Sequence, residues 1–424
     1  MKSRSHHHHR ESIHGRGYFR RLGPGLVTGA ADDDPSGIGT YSQVGAGFQF
    51  QLLWTALLAL PLAAAVQETT ARLGLVTGKG LAAIIREHYK AWVLWVTVTL
   101  VTAANTFNIG ADLGSMAAAT NLVIPIPAAV LVIGFAVIMA ALEIFIPYHQ
   151  YARVLKWLCL AILSYILVLL VINVSWGDVA QNTFIPNMTF NRTTIAALIA
   201  IFGTTISPYL FFWQTSEEVE EHKDRHRDGD TTVRHAELAA MRGDVVVGMG
   251  SGVVVMFAIM VTAGATIGKN GSVTISTAEQ AAAALEPLAG RFTSLIFTLG
   301  IVGTGLLAVP VLAGSTAYAL SETFGWREGL SLRMNQAKAF YGVIMASMFA
   351  GLMMNLVGVD SVRTLYFAAI LNGLAAPPLI IVILLLARRN DVLGSRRSNA
   401  LSQILVATAA VIISALPVLF IFAS

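Results

Sequence analysis

The stretch Gly29-Ala30-Ala31-Asp32-Asp33-Asp34-Pro35-Ser36-Gly37-Ile38-Gly39 sets three carboxylates, a proline and three glycines between apolar flanks. Proline removes a backbone donor and clashes with the preceding turn, and the flanking glycines tolerate an unwound chain, so a continuous helix is hard to sustain here. The flanks are those of a membrane protein. The 424 residues are 55% hydrophobic and only 12% charged, with a mean hydropathy of +0.67, too apolar for an ordinary soluble chain. Unwound backbone at membrane depth is permitted only where it lines a cavity or packs within protein. Bare carboxylates there are costly and mark function.

Apolar stretches lie near residues 22–46, 51–73, 91–118, 123–146, 153–174, 193–214, 243–267, 291–320, 338–357, 362–387 and 400–422, each close to the roughly 20 residues that cross a bilayer. The expected fold is an all-α polytopic membrane protein of about 11 transmembrane helices, with residues 1–21 as a disordered cytoplasmic tail and 22–424 as a single transmembrane domain. Placing the N-terminus in the cytoplasm puts segments 1–21, 72–90, 153–156, 223–242, 327–338 and 388–397 on the inner side. Those segments hold 24 of the 28 Lys and Arg, and only Arg192, Lys269, Arg291 and Arg363 fall elsewhere. The positive-inside rule then predicts an integral protein of the plasma (inner) membrane with its C-terminus outside. The basic head meets no small-residue cleavage site before its long span, so no signal peptide is read.

The sixth span carries a second break, Gly203-Thr204-Thr205-Ile206-Ser207-Pro208-Tyr209, where Pro208 frees carbonyls and the hydroxyls add oxygen atoms. An offset of five spans inverts the second copy relative to the first. Residues 22–174 and 193–387 are therefore expected to form two inverted repeats, with 400–422 as an extra helix. Two interrupted helices at matching positions are the pattern of a secondary transporter whose site lies where they cross. Taken singly, an Asp-Pro reads as a helix start and a Ser-Pro as a kink. Together they place Asp34, freed carbonyls and hydroxyls in one all-oxygen shell suited to hard divalent cations.

At these motifs the chain resembles the Nramp family of divalent-metal transporters. Leu22-Gly23-Pro24-Gly25 leading to Asp34-Pro35-Ser36-Gly37 resembles that family's G-P-G approach and D-P-G-N break, and Ala71-Arg72-Leu73-Gly74-Leu75-Val76-Thr77-Gly78-Lys79-Gly80-Leu81-Ala82 resembles its second signature closely. The resemblance spans roughly residues 20 to 420. It implies the leucine-transporter (LeuT) architecture, with helices 1–5 and 6–10 as inverted repeats, alternating access, and a metal site between the broken first and sixth helices.

The departures from that family are specific. Asp34 keeps its ligating aspartate, but Gly37 stands where an asparagine ligand is expected unless Ser36 or Asp33 substitutes. The family's M-P-H reads Ser207-Pro208-Tyr209, so a soft sulfur is exchanged for a hydroxyl, which argues against strong selection for Fe²⁺ or Mn²⁺ over abundant hard ions. The family's later histidine falls at Gln214, which cannot titrate. In the third span Asp112 keeps an acid while Ser115 stands where a second acid would sit. A proton relay needs a chain of titratable groups, so weak or absent proton coupling is expected. These changes resemble the Nramp-related magnesium transporters.

The expected metal shell is thus Asp34 with Asp33, Ser36, Gly37, Thr204 and Ser207, and the expected pathway or coupling residues are Asp112, Gln214, Tyr209, Gln67 and Asn372. Glu68 beside Gln67 is read as a pathway candidate too, although such polar groups in spans also serve only to cross-link helices. The expected function is secondary transport of a divalent metal cation, Mg²⁺ or Mn²⁺ favoured. The chain is not expected to be an enzyme, and the metal is substrate rather than cofactor. One alternative is a small organic or amine-bearing solute, with Tyr209, Phe211, Phe212 and Trp213 lining its pocket; these aromatics read first as lipid-facing or bundle packing. Another is a sensor using the polar segment 216–243, whose mixed charges read first as a solvated loop. His6 to His9 invite a metal reading but fit a solvated tail. Gly248, Gly250 and Gly252 suggest close helix approach. The lone Cys159 excludes a disulfide framework and a cysteine metal cluster. No G-x-x-x-x-G-K-[ST] supports a nucleotide partner, and no basic face supports a nucleic-acid partner. The lipid bilayer is the expected surroundings.

Overall fold

A computed structural model describes residues 23–146, 163–226, 232–271, 273–357 and 361–422. The tail 1–21 with His6 to His9, Cys159 and residues 153–162 of the stretch 153–174 lie outside the described residues. The long helices are α1 (Pro24–Asp32), α2 (Pro35–Phe48), α3 (Trp54–Thr77), α4 (Leu81–His88), α5 (Ala91–Asn121), α6 (Ala128–Phe145), α7 (Arg192–Thr205), α8 (Pro208–Arg225), α9 (His235–Ala265), α10 (Thr293–Phe324), α11 (Lys338–Leu356), α12 (Ser361–Arg388) and α13 (Ala400–Phe422). Eight segments among the described residues are long and apolar enough to cross a membrane. The first span, α1 with α2, is not among them because Asp32, Asp33 and Asp34 sit together at its break, and α3 carries Gln67, Glu68 and Arg72 within its length.

Both expected interruptions are present, and each has a local cause. Pro35 and Pro208 occupy the first position of α2 and α8, where a missing N–H costs nothing and the ring pre-sets the helical φ. The residue before each proline is driven out of the helical region: Asp34 has ψ 171° and Ser207 ψ 130°. Asp34 also caps α2, its side chain accepting the Gly37 N–H.

Burial sorts the helices into a core and a rim. The segment containing α7 and α8 is 94% buried over its most apolar window, whereas α6 is 22% and α13 28% buried. The rim helices turn Val130, Val137, Ile404 and Val411 outward, as a lipid-facing surface requires. Inside, small residues allow backbones to touch. A Cβ on Gly29 would stand 2.2 Å from the Gly248 carbonyl oxygen, and one on Gly203 would stand 2.2 Å from the Ala369 carbonyl oxygen. Thus α1 crosses α9, and α7 crosses α12, each close before its break. Gly252 joins the first crossing, where a Cβ would lie 3.3 Å from the Gly29 carbonyl oxygen, but a Cβ on Gly250 would meet only Leu60 at 3.9 Å, so Gly250 takes no part.

Two helix starts are capped from far along the chain. Gly23, at the N-cap of α1, offers no side chain, and Asp244 of α9 accepts the Gly25 N–H at 2.7 Å and the Leu26 N–H at 3.3 Å instead. Glu322 of α10 likewise accepts the Ala82 and Ala83 N–H groups of α4, and the Ser216 hydroxyl of α8. The basic segments also meet at one end of the bundle. Arg72 donates to the Arg396 carbonyl, Arg86 to the Thr323 carbonyl, and Arg242 to Glu68.

The α1–α9 crossing makes a sharp prediction. Gly29→Val should destabilise by about 3 kcal/mol or more through overpacking, lowering the melting temperature in detergent, whereas Gly134→Ala, where a Cβ meets nothing within 4 Å, should leave it unchanged or raised.

Candidate functional site

The crossing of the two breaks is dry and rich in oxygen. Asp34 and Thr204 are each 1% exposed. Asp34 Oδ1 receives the Gly37 N–H at 2.6 Å and the Ser36 hydroxyl at 2.7 Å, charge-assisted bonds that hold the carboxylate in one orientation. Gly37 leaves a hollow beside it. A Cβ there would lie 3.1 Å from the Asp32 carbonyl oxygen, 3.4 Å from Asp34 Oδ1 and 3.4 Å from Thr204 Oγ1. Three oxygens of three kinds, from both broken helices, therefore converge on the Gly37 backbone, in a tight hollow that admits no larger residue without a shift. Such a shell favours hard cations.

Not every expected ligand turns to this hollow. Ser36 reaches it through Asp34. Ser207 donates to the Thr204 carbonyl at 2.6 Å and the Gly203 carbonyl at 3.0 Å, so its hydroxyl closes the freed end of α7. Asp33 points elsewhere: Asp33 Oδ2 and Asp32 Oδ2 lie 3.6 and 3.7 Å from where a Cβ on Gly252 would stand, against α9.

The pathway candidates divide into two groups. Asp112 is fully buried on α5, with the Ser36 backbone amide of α2 as its nearest donor. Both polar atoms of Asn372 on α12 are without partners among the described residues. The second group is a connected chain. The Thr28 hydroxyl of α1 donates to Gln214 Oε1, Gln67 Nε2 donates to the Leu210 carbonyl at 3.1 Å and to Gln214 Oε1 at 3.3 Å, and Gln214 Nε2 donates to Glu218 at 2.8 Å. Tyr209 donates to the Ala31 carbonyl at 2.9 Å, tying one broken helix to the other. With Phe211, Phe212 and Trp213 it is buried to 1% or less, so these aromatics pack the bundle.

Some residues emerge only in three dimensions. Asn108 lies one turn before Asp112 on α5, and both of its side-chain polar atoms are buried without a partner among the described residues. Its signal in the sequence was the spacing Asn105, Asn108, Asp112, one polar stripe on an otherwise apolar helix. Glu68, read as a pathway candidate, is a strut. It pairs with Arg72 one turn away, lies 3.3 Å from Arg242, and accepts the Ser398 hydroxyl at 2.8 Å.

Over residues 25–423 the chain matches the family described as Natural resistance-associated macrophage protein-like, Nramp. The chain belongs to the Nramp family. It is 30% identical over 304 residues to a divalent metal cation transporter, MntH, of Klebsiella pneumoniae, covering 69% of this chain and 70% of that protein. It is 26% identical over 371 residues to MntH of Caldanaerobacter subterraneus, covering 85% and 82%. In three dimensions this Nramp chain is similar to a manganese transporter of Eremococcus coleocola, with a TM-score of 0.74 at 18% identity over 96% of this chain and 87% of that one. It is also similar to MhsT in complex with L-phenylalanine, with a TM-score of 0.63 at 12% identity over 95% and 98%. The fold is the LeuT-like one expected from the Nramp resemblance.

The Glu68 strut generates its own test. Glu68→Ala leaves Arg72 buried without its ion pair, which should cost about 3–5 kcal/mol, whereas Glu68→Leu with Arg72→Met should recover most of the melting temperature.

Proposed function

We propose that this Nramp chain is a secondary transporter of a divalent metal cation, working by alternating access, with Mg²⁺ or Mn²⁺ as the favoured ion. The observation that carries the reading is the convergence at Gly37 of oxygens from both broken helices: the Asp32 carbonyl, Asp34 Oδ1 and Thr204 Oγ1. Asp34 is the principal ligand, held by Ser36 and the Gly37 N–H, and Thr204 with the carbonyls of the two breaks supplies neutral oxygens. An ion that keeps part of its water shell, as Mg²⁺ does, needs only a few such ligands. The names of the MntH relatives and of the Eremococcus manganese transporter support a divalent-metal substrate. Packing argues against an organic solute, because the aromatics that would line its pocket are already in contact with the bundle.

Asp112 and Asn108 are buried polar groups on one stripe of α5 and are the groups we assign to the ion's route beyond the hollow. Proton coupling is weak or absent in this reading. The position of a titratable histidine is taken by Gln214, whose amide is committed to Thr28, Gln67 and Glu218, and Ser115 donates to the Asp112 carbonyl rather than adding an acid.

In proteoliposomes, wild type should take up Mg²⁺ or Mn²⁺ and Asp34→Ala should fall to background. Gly37→Ala should lower uptake by about 10- to 100-fold, the scale of disturbing the surroundings of a metal site, while lowering the melting temperature far less than Gly29→Val does. No divalent uptake by folded wild type removes the reading, and stabilisation by metabolites but not by metals transfers it to a small solute. An imposed inward metal gradient should leave the vesicle interior at its starting pH, and clear acidification refutes the uncoupled mechanism.

A further inference from the structure

The histidines of the polar segment 216–243 take no part in the transport site, yet the fold gathers them. His222 lies in the last turn of α8 and His226 is its C-cap residue, its N–H returning to the His222 carbonyl, and Glu237 lies in the first turn of α9. One ring nitrogen of each histidine and one Glu237 oxygen lie within 4.8 Å of one another, and all three residues are partly buried. Glu237 Oε1 is 3.3 Å from His226 Nε2 and 3.8 Å from His222 Nδ1.

The surrounding bonds decide which atoms face inward. His226 Nδ1 lies 3.1 Å from the His222 carbonyl oxygen. A carbonyl only accepts, so the proton sits on Nδ1 and Nε2 presents a lone pair. Glu237 Oε2 accepts the Arg234 N–H at 2.7 Å, which turns Oε1 towards the imidazoles. Nε2 and Oε1 are then two acceptors facing each other, an arrangement that calls for a proton or a cation between them. Nothing else among the described residues claims His222 Nε2, which is buried. An imidazole anchored on a backbone carbonyl and a carboxylate anchored on a backbone amide are the outer contacts that orient metal ligands.

We propose that His222, His226 and Glu237 form a second metal site, for Zn²⁺ or a similar transition ion, that ties the end of α8 to the start of α9. Two imidazoles and one carboxylate suit Zn²⁺ with a fourth position open to water, whereas Mg²⁺ prefers an all-oxygen set. Ligand atoms around tetrahedral zinc stand about 3.4 Å apart, a closure that side-chain rotation supplies here. The site differs in chemistry and in residues from the hollow at Gly37, so the two stand or fall separately.

The test is Zn²⁺ binding to the purified full-length chain, read as bound Zn²⁺ per chain and as the rise in melting temperature that a ligand of the folded state produces. His222→Gln with His226→Gln should lose one equivalent of Zn²⁺ and that thermal response, with the Mg²⁺ response unchanged, while Asp34→Ala keeps the equivalent. His6 to His9 are common to all these proteins and cancel in the difference. Should the double variant fail to fold, Glu237→Gln, which preserves an oxygen for the Arg234 N–H, should bind Zn²⁺ more weakly by about tenfold or more. Equal Zn²⁺ stoichiometry and equal thermal response in wild type and the variants overturn the site. So does a wild type stabilised by acidification and not by Zn²⁺, which would assign the gap to a proton.

Discussion

A peptide group in hydrocarbon has no water to turn to, so each one must find its partner within the protein. That demand is most severe where α1 gives way to α2 and α7 to α8, and the chain meets it with side chains placed at the breaks. The Ser207 hydroxyl takes up the Gly203 and Thr204 carbonyls, Tyr209 takes up the Ala31 carbonyl, and Asp34 takes up the Gly37 amide. The same bonds gather a small set of oxygens, Asp34 Oδ1 among them, around a position too confined for a side chain at residue 37. The proposed ion site is thus built from the very groups that allow the helices to be interrupted.

The breaks were legible because their cause is local. An acid or hydroxyl residue before proline inside an apolar run can be read from the chain alone, and Asp34-Pro35 and Ser207-Pro208 behave as that chemistry dictates. The glycine contacts were legible in part. Gly248 and Gly252 lie one turn apart and share the face towards α1, while Gly250 falls on the opposite side of the helix. Where side chains point at a break is another matter. Three consecutive aspartates take two directions set by dihedrals specific to this turn, which is why Asp34 meets the hollow while Asp32 and Asp33 face α9.

Long-range partners were invisible for a different reason. Glu68 reads as a functional acid in a span until Arg242 and Ser398, far away in the chain, are seen beside it. Isolated charges in a membrane helix carry the same signal whether they serve an ion or brace the bundle, and only the identity of the neighbour separates the two. The brace lies where basic connections meet, so the end of the molecule richest in positive charge is also cross-linked by carboxylates from within. Asp32, Asp33 and Asp34 at the first break have no basic counterpart among the described residues, and a cation is the natural complement there.

The distant caps bear on the order in which the chain can mature. Gly25 and Leu26 find their acceptor 219 and 218 residues downstream, and Ala82 finds its own 240 residues downstream. During synthesis the first helix therefore enters the bilayer with exposed amide groups that nothing yet made can satisfy. Closing so long a loop carries only a modest additional entropy cost over a shorter one, but it cannot happen before α9 exists. The first repeat thus settles only after much of the second has been inserted, and truncation before Asp244 leaves its leading turn without an anchor.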